Sequence, residues 1–164
     1  MLNKDEEAAY YRCRSFNYRH IYNKETCFFH PKDKNGKWIS PFDYRFSGGQ
    51  GAREYYGENN GWVYRWDVPH NIADLIELMN GKEQFVANLD QMFNESLGKS
   101  KFDFYSQLPD HTGNVGQFSM ANEPSLHIPY LYCYAGQPWK TQKRIRQLLK
   151  MWSVSYTHLR AHET

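Results

Sequence analysis

Two glutamates stand in surroundings that suit chemistry. Glu58 lies in the run Tyr55-Tyr56-Gly57-Glu58-Asn59-Asn60-Gly61-Trp62-Val63-Tyr64-Arg65-Trp66-Asp67-Val68-Pro69-His70, with rings at 62, 64 and 66. A carboxyl beside aromatic walls loses solvation and its pKa rises, which is how a glutamate becomes a general acid near neutral pH. Flat indoles and phenols also suit the C–H faces of a sugar ring. The same residues suit a plainer role, with Trp62 and Trp66 as core anchors and Glu58 solvated on a loop. The second glutamate, Glu123, lies in Ser119-Met120-Ala121-Asn122-Glu123-Pro124-Ser125-Leu126-His127. It precedes a proline and a helix start, so its carboxylate can cap that helix. Alternatively it is an oxygen ligand for a hard cation, with Asn122 adding a carbonyl and open positions left for water or substrate hydroxyls. His127 follows four residues later and would share a helical face with Glu123, a spacing that equally serves a structural hydrogen bond.

The remaining polar groups point to less. Lys140, Lys143, Arg144, Arg146 and Lys150 follow one another with no acid between them and could contact phosphates. A solvated helix face is the simpler reading, because Lys+Arg 20 against Asp+Glu 18 leaves a net charge of only +2. His20, His30, His70 and His111 are scattered without HxxxH or HExxH spacing, which argues against a zinc hydrolase. There is no GxGxxG, GxxxxGK[ST] or GxSxG. Cys13, Cys27 and Cys133 are odd in number and form no CxxC, so a zinc ribbon or redox pair is disfavoured and one disulfide is the maximum. Cys13 and Cys133 sit among apolar neighbours and read as small core residues.

The elements that must position these groups are helical. The 164 residues suggest one domain. Hydrophobic residues make up 40%, and 10 Phe, 5 Trp and 13 Tyr supply much of that share, which argues against disorder, collagen or coiled coil. No apolar run approaches the ~20 residues of a membrane span, and the polar start Met1-Leu2-Asn3-Lys4-Asp5-Glu6-Glu7 is unlike a signal peptide. A helix is predicted over 4–20, with Ala8, Tyr11 and Ser15 as its stripe. Residues 23–41 read as a loop or short hairpin over a buried Trp38, and Ser47-Gly48-Gly49-Gln50-Gly51 as the most flexible point. After Pro69, Ile72, Leu75, Ile76 and Met79 fall at i, i+3, i+4 and i+7, and Asn80-Gly81 supplies the stop. A further helix begins near Lys82, with Phe85, Leu89, Met92 and Phe93 on one face. Residues 94–116 read as a long connection. Residues 126–134 are helical in pattern with Pro129 as a kink or first turn, and Pro138 opens a last helix with Trp139, Ile145, Leu148, Leu149 and Trp152 buried.

Three stretches carry a family likeness. Glu58, Asn60, Trp62, Tyr64, Trp66, Val68, Pro69 and His70 match an E-G-N-x-W-x-Y-x-W-x-V-P-H block. Asn122-Glu123-Pro124-Ser125, His127, Tyr130-Leu131-Tyr132 and Tyr134-Ala135-Gly136 match N-E-P-S-x-H…Y-L-Y-x-Y-A-G, which runs into Gln137-Pro138-Trp139-Lys140-Thr141-Gln142. Asn17-Tyr18 and Pro41-Phe42-Asp43 agree more loosely. Over about residues 5–152 the chain resembles the calcium-dependent α-mannosidases of glycoside hydrolase family 92. Met120-Ala121 stand where members specific for 1,2-linkages carry His-Glu, Asn59 replaces a glycine, Val63 a glutamine, and Leu126 stands where histidine is common.

The resemblance implies an inverting enzyme that removes terminal α-mannose from glycans, built from a β-sandwich and an (α/α)6 toroid. By position, Glu58 would be the general acid, Glu123 and the Asn122 carbonyl would hold Ca2+, and Asn60 and Trp62 would line the site. An inverting enzyme sets acid and base roughly 6.5–9.5 Å apart with water between. The base that the resemblance implies, an Asp in a later segment, has no counterpart here. The expected fold is therefore all-α, a partial toroid of about five helices with long aromatic-rich loops. Residues 1–152 are expected to be an internal fragment of the catalytic domain, inactive without the remainder of the parent chain, and 153–164 a non-native tail. The expected partner is a mannose-containing glycan, with no nucleic acid and no membrane span, and the parent would act outside the cytoplasm. Two other classes remain open at this point: a non-catalytic carbohydrate-binding helical module, and a small nucleic-acid-binding helical protein using 140–150.

Overall fold

The computed structural model describes residues 4–46, 54–109 and 111–160. The chain is rich in helix and poor in strand. Helix α1 spans Asp5–Arg14, and a 3-10 turn over Asn17–Ile21 leads into the two-residue strands β1, Tyr22–Asn23, and β2, Phe28–Phe29. There follow α2 (Gly61–Tyr64), α3 (Ile72–Leu78), α4 (Lys82–Met92) and α5 (Lys101–Gln107). A second hairpin, β3 (Asn114–Val115) with β4 (Phe118–Ser119), precedes 3-10 turns over Glu123–Ser125 and Ile128–Cys133 and the long α6, Pro138–Arg160. Both hairpins are antiparallel, pairing Tyr22 with Phe29 and Asn114 with Ser119.

The central helices form where the apolar spacing places them. In α3, Ile72, Leu75 and Ile76 are buried, and the Asn71 side chain accepts from the Asp74 N–H at the start. Asn80 and Gly81 both have positive φ at its end, the left-handed backbone that stops a helix. Phe85, Leu89, Met92 and Phe93 of the α4 region are buried together. Asp74 is itself buried and accepts from Tyr18 Oη and the Arg19 guanidinium, which fastens the first 3-10 turn to α3.

Several expectations are corrected. Helix α1 stops at Arg14 and buries no residue, so its proposed stripe faces solvent; acids in its first turn and arginines in its last favour it through the helix dipole instead. Trp38 is half-buried, with the Lys32 ammonium 4.0 Å from its ring centre. The connection over 94–116 contains α5, whose signal was local: Ser100 Oγ caps the helix by accepting from the Asp103 N–H, and it donates to the Asp103 carboxylate. Residues 126–134 are mostly 3-10 turn, with Pro129 in its first turn.

On α6 the buried face runs through Thr141, Ile145 and Leu148, and Trp139 and Leu149 point outward, 60% and 58% exposed. Thr141 Oγ1 donates to the Pro129 carbonyl across 2.9 Å, so a polar residue on the buried face helps to anchor the helix. Cys13 and Cys133 are exposed rather than core residues. The Ser47–Gly51 loop lies outside the described residues, as does the side chain of Trp152. None of the helices searched is long and apolar enough to cross a membrane.

Candidate functional site

Glu58 occupies an exposed bend ahead of α2, and its backbone N–H donates to Tyr64 Oη at 3.1 Å. The next two residues turn inward. Asn60 has no exposed surface; its Oδ1 accepts from the Trp62 and Val63 N–H groups, capping α2, while its Nδ2 donates to the Arg45 carbonyl and to Gln117 Oε1, each at 2.9 Å. Gly61 follows in close quarters: a Cβ there would lie 2.9 Å from Tyr56 Oη and 3.1 Å from a Tyr44 ring carbon, so these side chains would have to shift.

The rings at 62 and 66 point into the core. Trp62 is 6% exposed and meets Phe28 edge-on at 5.0 Å, while Trp66 is fully buried against Phe85 and donates its indole N–H to Met92 Sδ at 3.1 Å. Arg65 lies among them, 4.3 Å from the Phe28 ring centre, and burial pushes its guanidinium down to about 10. Of the rings near Glu58 in sequence, Tyr64 is the one that reaches it. It stacks on Tyr56 with centroids 5.7 Å apart.

The second segment meets the first. Asn59, also fully buried, donates from Nδ2 to Asn122 Oδ1 at 3.0 Å and accepts on Oδ1 from the Asn60 N–H. Glu58 immediately precedes Asn59 and Glu123 immediately follows Asn122, so each glutamate is one residue from that hydrogen bond. Both are exposed. Glu123 opens the short 3-10 turn, and the Asn122 carbonyl accepts from the Ser125 N–H at 3.0 Å. His127 does not pair with Glu123; its Nε2 reaches the Trp66 carbonyl at 3.1 Å.

Chemically, this leaves one exposed carboxylate on each side of a buried amide pair. The Glu123 carboxylate and the Asn122 carbonyl are hard oxygen donors of the kind calcium takes, and a carbonyl already accepting one hydrogen bond keeps a second lone pair. Two such donors fit part of a six- to eight-oxygen shell. No group of three or more His, Cys, Asp or Glu able to hold a metal occurs among the described residues, so the rest of a shell would come from water, sugar hydroxyls or other segments.

Support for the pair comes from residues that spacing does not reveal. Gln117, fully buried, donates from Nε2 to the Ser96 carbonyl at 2.8 Å while its Oε1 receives Asn60, and its backbone N–H reaches the Met92 carbonyl at 2.8 Å. His111 donates from Nε2 to the Gln117 carbonyl at 2.8 Å. The Asn59-Asn60-Gly61 run was the available signal for the cap; nothing in the sequence marks Gln117.

Comparison with known proteins adds an independent line. The pattern of the glycosyl hydrolase family 92 catalytic domain matches residues 1–157. An uncharacterized secreted glycosidase of Arthroderma benhamiae is 32% identical over 127 residues, 71% of this chain and 13% of that protein. A family GH92 α-mannosidase of Bacteroides thetaiotaomicron, solved with mannoimidazole, superposes with a TM-score of 0.76 at 30% identity, covering 91% of this chain and 19% of its own. An inverting GH92 mannosidase of the same bacterium superposes with a TM-score of 0.69 at 35% identity, covering 91% and 20%. The chain thus spans about a fifth or less of the length of these relatives.

Proposed function

This chain belongs to glycosyl hydrolase family 92, and on that premise we propose that it is part of the helical, toroidal catalytic domain of an inverting, calcium-dependent α-mannosidase acting on terminal α-mannosides of glycans. The observation that carries the reading is the Asn59–Asn122 hydrogen bond, which ties the loop bearing Glu58 to the turn bearing Glu123. The Bacteroides relatives, an α-mannosidase and an inverting mannosidase, support the substrate class and the stereochemistry.

In this mechanism Glu58 is the general acid. It stands on an exposed bend, free to approach a leaving oxygen, and its backbone is held by Tyr64 rather than by its own carboxylate. Glu123 and the Asn122 carbonyl would hold the cation, and a hard cation there would supply coordination for sugar hydroxyls that favours a distorted ring. Asn60, fully buried, supports the site by capping α2, the short helix that also carries the buried Trp62. General acid–base help is worth about 10²–10⁴-fold per group, so a chain without the base leaves water unactivated. The isolated 164 residues are therefore expected to bind mannosides with calcium and not to turn them over.

The test is a calcium titration of the chain in methyl α-mannoside, followed by assay on an aryl α-mannoside. Calcium-dependent sugar binding without hydrolysis supports the reading. Robust hydrolysis by this chain, or sugar binding indifferent to calcium and to Glu123→Gln, overturns it.

A further inference from the structure

Where the end of α4, the 3-10 turn over Ile128–Cys133 and the first turns of α6 meet, they leave a hollow of about 320 Å³. That volume is within the range of small-molecule sites. Asp90, Tyr132, Lys140, Lys143, Arg144 and Gln147 line it. We propose that the hollow is a binding site for a phosphate dianion, carried either as free phosphate or as the phosphomonoester of a small molecule. The proposal stands apart from the mannosidase reading and uses a basic run that reading leaves idle.

Three observations carry it. The first is charge. Lys140, Lys143 and Arg144 line the hollow with one carboxylate, Asp90, which leaves an excess of two positive charges. Asp90 is already engaged, accepting from Tyr132 Oη at 2.8 Å and from the Lys140 ammonium. Among the described residues neither Lys143 nor Arg144 is paired with a carboxylate. A phosphomonoester carries about −1.5 to −2 charge at pH 7 and three acceptor oxygens, which matches that excess. The second is that the donors are held in place. The Arg144 guanidinium lies 4.1 Å from the centre of the buried Phe93 ring, and a guanidinium resting on a ring keeps N–H donors at its edge. Lys140 is fixed through Asp90, which the buried Tyr132 holds in turn. An ammonium has three donors, so Lys140 can serve Asp90 and a ligand together, and Gln147 adds a neutral amide. The third is placement. The first turn of α6 has no acid and includes Lys140, the reverse of what the helix dipole favours. Lys143 and Arg144 follow three and four residues later, spacings at which like charges destabilise a helix. An anion seated among the three relieves both penalties. A long polyanion fits less well, because the net charge of the chain is only +2.

Isothermal titration calorimetry on the 164-residue chain tests it at physiological ionic strength, where diffuse surface attraction is screened. The probes are inorganic phosphate, glycerol phosphate and a short DNA duplex. The expected result is saturable binding of a phosphate probe, weakened about tenfold by Lys143→Gln and by Arg144→Gln, as for loss of a hydrogen bond to a charged group. Arg146→Gln should leave the affinity unchanged, since Arg146 is exposed on the same helix outside the hollow and its variant removes the same charge. Lys143 is exposed as well, so its variant decides the matter should Arg144→Gln loosen the fold, which circular dichroism reads. Tighter binding of glycerol phosphate assigns the site to a monoester, and equal or tighter binding of inorganic phosphate assigns it to the free ion. No saturable binding of either phosphate, an equal loss in Arg146→Gln, or binding confined to the duplex overturns the proposal.

Discussion

The side-chain amide of Asn59 donates to that of Asn122 at 3.0 Å, with both residues buried and each one position from an exposed glutamate. That single bond couples two segments that stand far apart in the chain. Its worth is set by burial: removing one partner strands the other away from water. Asn59→Ala or Asn122→Ala is expected to cost about 1–3 kcal/mol in chemical denaturation, and the double variant less than the sum of the two. Strict additivity would mean that the pair does not act as a unit.

Among the described glycines probed for space, Gly116 has the least room. Its φ is +60°, and a Cβ there would lie 2.4 Å from the Met92 carbonyl oxygen, the same carbonyl that accepts from the Gln117 N–H. Gly116→Ala should therefore destabilise by about 2–4 kcal/mol, combining left-handed strain with backbone displacement. A urea midpoint equal to wild type would refute this.

His111 is fully buried and donates from Nε2 to the Gln117 carbonyl, while its Nδ1 meets no partner among the described residues. Burial lowers its pKa from 6.5 to about 4, because a second N–H would have nowhere to donate. The unfolded chain takes up this proton as pH falls below about 6.5, whereas the folded chain resists until about 4. Stability is thus complete above 6.5 and falls by about 3 kcal/mol across that window. His111→Phe should flatten this part of the pH profile, measured as the difference in urea midpoints between variant and wild type.

Calcium should raise the melting temperature of the chain if Glu123 and Asn122 hold it. At a hundredfold excess over its dissociation constant, a ligand of the native state adds about 2.7 kcal/mol. Glu123→Gln removes the whole charge of a ligand set that has one carboxylate and one neutral carbonyl from this chain, and the calcium shift should disappear. Differential scanning calorimetry with and without chelator reads it, and a shift that persists in the variant would place the cation elsewhere.

Within the sequence, periodicity determined α3 and α4, since Ile72, Leu75 and Ile76 and then Phe85, Leu89 and Met92 repeat at the helical interval, and burial rewards that repeat. The motif residues around Glu58 and Glu123 were legible as two separate stretches, because residue type and spacing are local properties. What tertiary structure alone decided is which face each stretch turns to the other. Trp62 and Trp66, which look like walls for Glu58, instead enter the core, where burying large rings outweighs lining a loop. Trp139 and Leu149 turn outward, while Leu148 and Thr141, whose hydroxyl donates to the Pro129 carbonyl, face the core. The meeting of Asn59 with Asn122, and the support that Gln117 gives Asn60, depend on contacts between residues distant in sequence, and such contacts leave no period for a local pattern to reveal.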